Sequence, residues 1–148
     1  MQLSENFTLK EFTKSTTAAR LRIDNTPDAD AIDNLCTLCE SVLQPVRDHF
    51  GRVTINSGFR ILELNRALKS KDRSQHRLGE AADIEVNGIS NYDLACWIRD
   101  NLEFDQLILE FYNDSDPSAG WVHVSFREGS NRNQCITVSK SGTTLGLG

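Results

Sequence analysis

The sequence predicts an α+β protein in which a small, mostly antiparallel sheet is flanked by helices. Strand-like and helix-like segments mix along the chain without a regular βαβ alternation. The chain of 148 residues has the usual size of one domain, and a content of 39% hydrophobic and 25% charged residues is typical of a globular protein. We therefore expect a single domain over residues 1–148, with a flexible tail at about 139–148.

Capping-box patterns and apolar residues spaced for one buried face predict four helices. Pro45 is expected to kink the second helix, and Gly51 to end it. The helices are predicted at about 8–14, 27–49, 61–69 and 90–102, and residues 15–26 are predicted to be irregular. Alternating or continuous apolar runs predict strands at about 52–56, 82–86, 104–111, 121–126 and 135–138.

The charge and the hydropathy of the chain argue against two classes of partner. A net charge of -5 disfavours a broad electrostatic contact with nucleic acid, and no apolar stretch is long enough for stable membrane insertion. The polar N-terminus, MQLSENFTLKEF, does not resemble a signal peptide, so we expect a protein that is cytoplasmic as synthesised. The sequence makes no prediction about the oligomeric state.

Cys36 and Cys39 form a CxxC pair, a pattern that also occurs in zinc and redox proteins. Both lie on the apolar face of the predicted second helix, where a reduced cysteine packs as a small hydrophobic residue. No second close cysteine pair completes a zinc knuckle. We therefore favour core packing, with a thiol-based site as the weaker alternative.

The segment SQHRLGEAADIE places His76 and Asp83 seven positions apart. The small residues between them, Gly79, Ala81 and Ala82, allow the chain to turn back tightly, so that both side chains can reach one ion. A surface histidine in a loop and an aspartate at the start of a strand remain the simpler interpretation of this segment alone.

Two further strands change that balance. His123 lies within the alternating WVHVS, and Glu110 ends the apolar run FDQLILE, where a carboxylate is uncommon without a partner or a task. A hairpin centred near 116–117 would put Glu110 directly opposite His123, and a register error of one or two residues would still leave them close. The alternative for Glu110 is an ion pair with Arg60 or Arg127 across the sheet.

Two imidazoles and one carboxylate are a ligand set for Zn²⁺, and a catalytic zinc site leaves a fourth position for water. His76, Asp83 and His123 are therefore the candidate ligands. Glu110, as a carboxylate outside the ligand set, is the candidate general base for that water.

Residues 74–83 match the motif SxHxxGxAxD, and the sequence around it resembles the zinc D-Ala-D-Ala carboxypeptidase-like metallopeptidases, which cleave peptidoglycan stem peptides. The segments SGFR at 57–60 and WVH at 121–123 also match. The resemblance implies the fold that these enzymes share with hedgehog domains. Within the family, the chain is most similar to small single-domain members of phages and prophages, which include endolysins that cut L-Ala-D-Glu bonds.

The resemblance implies roles for individual residues. His76, Asp83 and His123 match the zinc ligands, Arg60 matches an arginine that binds the substrate and steadies the oxyanion, and Ser74 matches a substrate-contacting position.

One position departs from the family pattern. Many members carry the catalytic acid three residues before the last histidine, and here that residue is Gly120. Glu110 is the best substitute, and Asp114 and Asp116 in the connecting loop are weaker candidates.

The resemblance implies a zinc metallopeptidase that hydrolyses peptidoglycan stem peptides, as a D-Ala-D-Ala carboxypeptidase or an L-Ala-D-Glu endopeptidase. The phage-like character implies a role in lysis, in which the enzyme acts on the cell wall after release. The alternative is a non-catalytic binding module of the same fold that retains the zinc. The sequence does not predict which peptide bond is cut.

Overall fold

The computed structural model describes residues 1–116 and 119–147. The helices are α1 (Leu9–Thr13), α2 (Thr16–Leu21), α3 (Ala29–Leu38), α4 (Gln44–Phe50), α5 (Leu62–Ala67) and α6 (Asn91–Asn101). The strands are β1 (Gln2–Ser4), β2 (Phe7–Thr8), β3 (Val53–Ser57), β4 (Ala81–Val86), β5 (Gln106–Glu110), β6 (Trp121–Ser125), β7 (Gln134–Ser139) and β8 (Gly142–Leu145). A π-helical turn, Cys39–Leu43, joins α3 to α4, and a 3-10 turn, Gln75–Leu78, precedes β4.

The central sheet has six strands in the order β3-β4-β6-β5-β7-β8. Every neighbouring pair is antiparallel except β5 and β7, which run parallel. The predicted α+β class with a mostly antiparallel sheet and flanking helices is confirmed. The parallel pair was not predicted. After β6 the chain crosses to the far side of β5, so β7 pairs with β5 and not with β6.

One face of the sheet forms the hydrophobic core and the other carries the polar side chains. The core face packs against α6 and the α3–α4 helix through apolar side chains that alternate along each strand. The buried residues of this sheet that belong to the core are Val53, Ala82, Ile84, Val86, Leu107, Leu109, Val122 and Val124. The same alternation directs Asp83, His123 and Glu110 to the opposite face, because they stand one position away from these core residues.

The long helix predicted at about 27–49 is divided into α3 and α4 by the π-helical turn that lies ahead of Pro45. Pro45 lacks the backbone N–H that would continue the regular hydrogen-bond ladder, and the chain adopts the π-helical turn just before it. Gly51 ends the helix at a φ of 95°. Cys39 is fully buried and Cys36 is half-buried on this helix, and burial raises the pKa of both thiols. Both cysteines therefore have the protonated, packed character expected of core residues.

Two segments are more ordered than the sequence suggested. Residues 16–21, expected to be irregular, form α2, in which the Ser15 hydroxyl caps the first turn by accepting from the Ala18 N–H. The tail, expected to be flexible, contains β8, which pairs with β7, and Leu147 is buried. Backbone pairing needs no apolar pattern, so the composition of this segment did not reveal it. In the part of the chain that the structure describes, no helix has both the length and the apolarity to cross a bilayer.

Candidate metal centre

Three side chains converge on one point of the polar sheet face. The nearest carboxylate oxygen of Asp83, Oδ1, lies 3.3 Å from His76 Nε2 and 3.0 Å from His123 Nδ1. The candidate ligand atoms of all three residues lie within 4.8 Å of one another, and all three residues are buried. The sequence prediction that these residues lie together is therefore met by the geometry.

The sheet and one tight turn position the triad. Asp83 on β4 is directly paired with His123 on β6, so neighbouring strands present their side chains side by side. His76 comes from the 3-10 turn, which ends at Gly79 with a φ of 75°. A Cβ atom at Gly79 would lie 2.4 Å from the carbonyl oxygen of Ala31, so the return of the chain into β4 requires glycine.

His76 is oriented by its second ring nitrogen. Nδ1 lies 2.7 Å from the carbonyl oxygen of Gly58, a partner that fixes the N–H on Nδ1 and leaves the lone pair of Nε2 directed at the site. Burial lowers the pKa of His76, against the opposing influence of Asp83. A neutral imidazole with one nitrogen held by a backbone carbonyl is the state in which histidine binds a metal.

Asp83 is held in its ionised form. Burial alone would raise the pKa of its carboxyl group, but His76 and His123 outweigh burial and hold the pKa well below its usual range. Two imidazole nitrogens and one ionised oxygen, buried and directed at one point, fit the donor set of a catalytic zinc site. Among the residues that the structure describes, this is the one cluster of candidate metal ligands.

Arg60 lies against the triad with its guanidinium fixed on several sides. Nη2 lies 3.3 Å from Asp83 Oδ2, and Nε donates to the hydroxyl of Ser57 at 3.0 Å. Longer contacts of 3.5 and 3.4 Å join Nη1 to Asn65 and Ser70. Of its five N–H groups, one on Nη2 has no partner among the described residues, and Arg60 is one of the residues that line the cleft.

Glu110 lies on the same sheet face as the triad, but the predicted register is wrong by two residues. The structure pairs Glu110 with Trp121, and Ile108 with His123. The connection folds back through a bridge between Asn113 and Asp116, which moves the centre of the hairpin towards β5. A shift of two residues preserves the face, so Glu110 is a diagonal neighbour of His123, at roughly 7–8 Å between Cα atoms. Pro117, part of the predicted centre, lies outside the described residues.

The environment of Glu110 favours proton transfer. Its Oε2 accepts a hydrogen bond from the indole N–H of Trp121 at 2.8 Å, and it forms no ion pair with any residue of 1–116 or 119–147. Arg127, one of its proposed alternative partners, pairs with Glu80 instead. Burial raises the pKa of Glu110, and the negative charge of Asp83 raises it further. A carboxyl group with a raised pKa beside a metal site is suited to general acid–base catalysis.

The conformation at Gly120 explains why this position carries no acidic side chain. Its φ is 73°, and a Cβ atom there would lie 1.9 Å from the carbonyl oxygen of Glu110 and 2.7 Å from the carbonyl carbon of Phe111. No side chain fits at position 120, because the backbone that follows β5 occupies that space. The backbone of Glu110 and Phe111 thus excludes the acid expected three residues before His123.

The remaining candidates are less well placed. Ser74 lines the cleft, but its hydroxyl also accepts from the His76 N–H at 3.3 Å and caps the 3-10 turn. Asp114 and Asp116 are exposed in the connecting loop and do not line the cleft.

The cleft itself has a volume of about 1150 Å³, which exceeds the range of most small-molecule pockets and suits a larger substrate. Sequence reasoning missed the role of Trp121 as the partner of Glu110, although the correct hairpin register would have revealed it.

Comparison with known proteins agrees with this geometry. The sequence matches the family model for peptidase M15 over residues 5–125, which is more than half of the chain. The chain belongs to the peptidase M15 family. Members are zinc-dependent metallopeptidases, and the matched region contains all three candidate ligands of this M15 peptidase as well as Arg60 and Glu110. No curated protein matches the chain.

Proposed function

We propose that this M15 peptidase is a zinc enzyme that hydrolyses peptide bonds in peptidoglycan stem peptides. One observation carries the proposal: His76, Asp83 and His123 converge at the floor of a wide cleft, with Glu110 on the same sheet face and outside the triad. A purely structural metal site would be closed by a fourth protein ligand, whereas three ligands in an open cleft leave room for substrate.

The residues of the triad would hold the ion, and Glu110 would move the proton. When bound, Zn²⁺ supplies Lewis acidity, which acidifies water and polarises the peptide carbonyl. Glu110 accepts the proton that the attacking water loses, and it returns that proton to the amine as the C–N bond breaks. Trp121 holds Oε2 of Glu110, which leaves Oε1 for the water and the leaving amine. The immediate products are a carboxylic acid and an amine, which ionise in water, so Glu110 ends the cycle as the carboxylate with which it began.

Arg60 would stabilise the negative charge that develops on the carbonyl oxygen. Its contacts with Ser57 and Asp83 fix the guanidinium before substrate binds, and a preorganised cation lowers the energy of the transition state more than that of the bound substrate. Its remaining N–H on Nη2 is the donor available for that oxygen. Ser74, at the cleft wall beside His76, would contact the substrate.

The proposed bond specificity and biological role rest on the resemblance to peptidoglycan peptidases. We infer a D-Ala-D-Ala carboxypeptidase or an L-Ala-D-Glu endopeptidase, and the similarity to small phage members supports a role in lysis after release from the cytoplasm. The cleft volume of about 1150 Å³ suits a peptide chain.

Digestion of purified peptidoglycan tests the proposal. The zinc-loaded protein is incubated with sacculi, and mass spectrometry identifies the new termini. A new C-terminal D-Ala with release of free D-Ala would identify a carboxypeptidase, and a new N-terminal D-Glu would identify an endopeptidase. A protein that binds one zinc and creates no new termini in peptidoglycan, with neither D-Ala nor peptide released, would contradict the proposal and support the non-catalytic module.

A further inference from the structure

Cations outnumber carboxylates among the charged residues that line the cleft of this acidic protein. The chain has a net charge of -5, yet the described residues of the cleft include six cationic side chains and two carboxylates, Asp83 and Glu110. The cations are Arg60, Lys69, Lys71, Arg73, Arg127 and Arg132. A concave surface of one sign in a protein of the opposite net sign concentrates ligands of complementary charge.

Three of these cations have a partner that neutralises them. Arg60 contacts Asp83, Arg127 pairs with Glu80 at 3.1 Å, and Arg132 pairs with the buried Asp105 at 2.9 Å. These three therefore contribute little net positive charge to the cleft.

Lys69, Lys71 and Arg73 differ, since none of them forms an ion pair with a described residue. All three are exposed and lie in the loop between α5 and the 3-10 turn that carries His76. Asp72, the acidic residue among them, is bound by Arg66 through two contacts of 3.0 and 2.7 Å and does not line the cleft. We refer to Lys69, Lys71 and Arg73 as the cationic wall.

The backbone of the cationic wall is held in place by buried contacts. The amide of Asn65, which is fully buried, donates to the Lys71 carbonyl at 2.8 Å, and the Ser74 N–H donates to the same carbonyl at 3.0 Å. The hydroxyl of Ser70 lies 3.4 Å from Nη1 of Arg60. The backbone of the loop is therefore anchored beside the triad, and its three exposed cations extend from this anchored backbone along the cleft.

We propose that the cationic wall is a subsite for a carboxylate of the substrate that lies away from the scissile bond. This inference rests on the proposed function, because it assigns part of the cleft to the same peptide. The stem peptide offers two sources of this group: the α-carboxyl group of D-Glu where the D-Ala-D-Ala bond is cut, and the C-terminal carboxyl group where the L-Ala-D-Glu bond is cut. Each would exchange hydration for contact with lysine and arginine side chains, and this exchange favours anionic peptides over their amides.

Binding of matched peptides to the zinc-loaded protein tests the subsite. The probes are the stem pentapeptide L-Ala-γ-D-Glu-L-Lys-D-Ala-D-Ala, its form with the D-Glu α-carboxyl group amidated, and its form with the C-terminus amidated. Calorimetry in the Glu110→Gln background measures Kd without turnover, and kcat/KM is measured in the otherwise unchanged protein. We expect one amidated form to bind roughly 2- to 25-fold more weakly than the parent peptide, because a carboxylate can contact two cations and each exposed ion pair contributes roughly 1.5- to 5-fold. The form affected identifies the carboxylate.

A charge-matched pair of variants locates the effect. Combined Lys69→Gln, Lys71→Gln and Arg73→Gln should remove the preference for the carboxylate, while zinc content and the melting temperature stay unchanged. The control combines Lys10→Gln, Lys14→Gln and Arg20→Gln, which removes the same three charge types from exposed positions outside the cleft. The control should retain the preference, and 0.5 M NaCl should weaken it in the control and not in the wall variant.

Two results would overturn the inference without affecting the proposed function. Hydrolysis with equal Kd for all three peptides would exclude a carboxylate subsite. Loss of binding to sacculi in the wall variant, with its preference among the peptides unchanged, would reassign the cations to phosphate-bearing wall polymers. A carboxylate preference without any hydrolysis would instead contradict the proposed function and leave the subsite standing.

Discussion

Asp83 and Glu110 lie on the same face of the central sheet, yet their surroundings have opposite effects on them. Asp83 is enclosed by groups that favour its charge: His76 and His123 approach one carboxylate oxygen within 3.3 Å, and Arg60 approaches the other. The pKa of Asp83 therefore lies well below its ordinary value, although burial opposes the change.

Glu110 has a different environment. It lies on β5, two residues after Ile108, which is the residue paired with His123. Its one hydrogen-bond donor among the described residues is the Trp121 indole, and the ring of Phe111 packs against that indole at 5.5 Å. Burial raises the pKa of Glu110. Carboxyl groups whose environments separate their pKa values in this way take different roles: one stays ionised and binds, and the other exchanges protons.

Asp83→Asn should abolish both metal binding and hydrolysis. An amide in place of the carboxylate offers a weaker, neutral ligand and leaves two imidazoles for the ion. We expect substoichiometric zinc after dialysis and activity at background, measured by metal analysis and peptide hydrolysis. Glu85→Gln is the matched control, because Glu85 is on the same strand and face and bonds to Asn56. Full zinc in Asp83→Asn would remove Asp83 from the ligand set.

Arg60→Lys should lower kcat more than it changes KM. Lysine keeps the charge but cannot reproduce the contacts of the planar guanidinium with Ser57 and Asp83. Loss of an oxyanion donor costs about 2–4 kcal/mol, or roughly 30- to 1000-fold in kcat. Arg66→Lys, at an exposed position on α5, should be near wild type in steady-state kinetics. An unchanged kcat for Arg60→Lys would assign Arg60 to structure alone.

Asp105→Asn should affect stability rather than metal binding. This buried carboxylate accepts from the backbone and side chain of Arg132 and from Gln75, and Arg132 lowers the pKa of Asp105. A lowered folded-state pKa contributes stability above the unfolded pKa of about 3.9, and that contribution is lost as the pH falls through the folded value.

We therefore expect Asp105→Asn to be destabilised by about 1–3 kcal/mol at pH 7 in urea unfolding, with bound zinc retained. The difference from wild type should shrink below about pH 4. The exposed Asp114→Asn is the control. If Asp105→Asn is destabilised equally at pH 7 and pH 3, position 105 requires the shape of the side chain and not its negative charge.

Trp121→Phe should have the smallest effect, through Glu110. The indole N–H lowers the pKa of Glu110, and phenylalanine keeps the ring without the donor. The base must be ionised to accept a proton, so activity falls as the pH drops through its pKa. Without the donor that pKa rises, and the acid limb of the kcat/KM profile should move to higher pH by roughly 0.5–1 unit, with a roughly 3- to 10-fold loss below it.

Trp97→Phe on α6, where the indole stacks on His49, is the control for Trp121→Phe. It should leave the pH profile unchanged. A loss in Trp121→Phe that is equal at every pH would indicate a packing role for the indole and no influence on the base.

The proximity of His76 and Asp83 could be predicted from the sequence, because a short turn that glycine alone can make joins them. The alternation of its strand identified the face of His123. The pairing of β4 with β6, which places His123 beside Asp83, joins residues 40 positions apart and was not predicted. The position of Glu110 could be predicted to the correct face and not to the correct register. Register depends on the conformation of the connecting loop, here with Phe111 at a φ of 56°, and composition does not reveal it.

The elements that sequence reasoning missed depend on pairing across the chain. The parallel contact between β5 and β7 and the β8 strand at the tail arise from backbone hydrogen bonds between distant segments. The cationic wall was also missed, since a charged loop is ordinarily a solvated surface. Its position beside the triad follows from the contacts of Asn65 and Ser70, which no local pattern predicts.

The most direct test of the account is a paired measurement of zinc content and hydrolysis in Glu110→Gln. Glutamine preserves the size of the side chain and can keep the contact with Trp121, but it cannot accept the proton. We expect one zinc per chain, as in wild type, with kcat lower by roughly 100- to 10,000-fold, while the exposed Glu103→Gln retains full activity. Wild-type hydrolysis by a zinc-loaded Glu110→Gln, or loss of its zinc, would contradict the division between a ligating Asp83 and a proton-transferring Glu110.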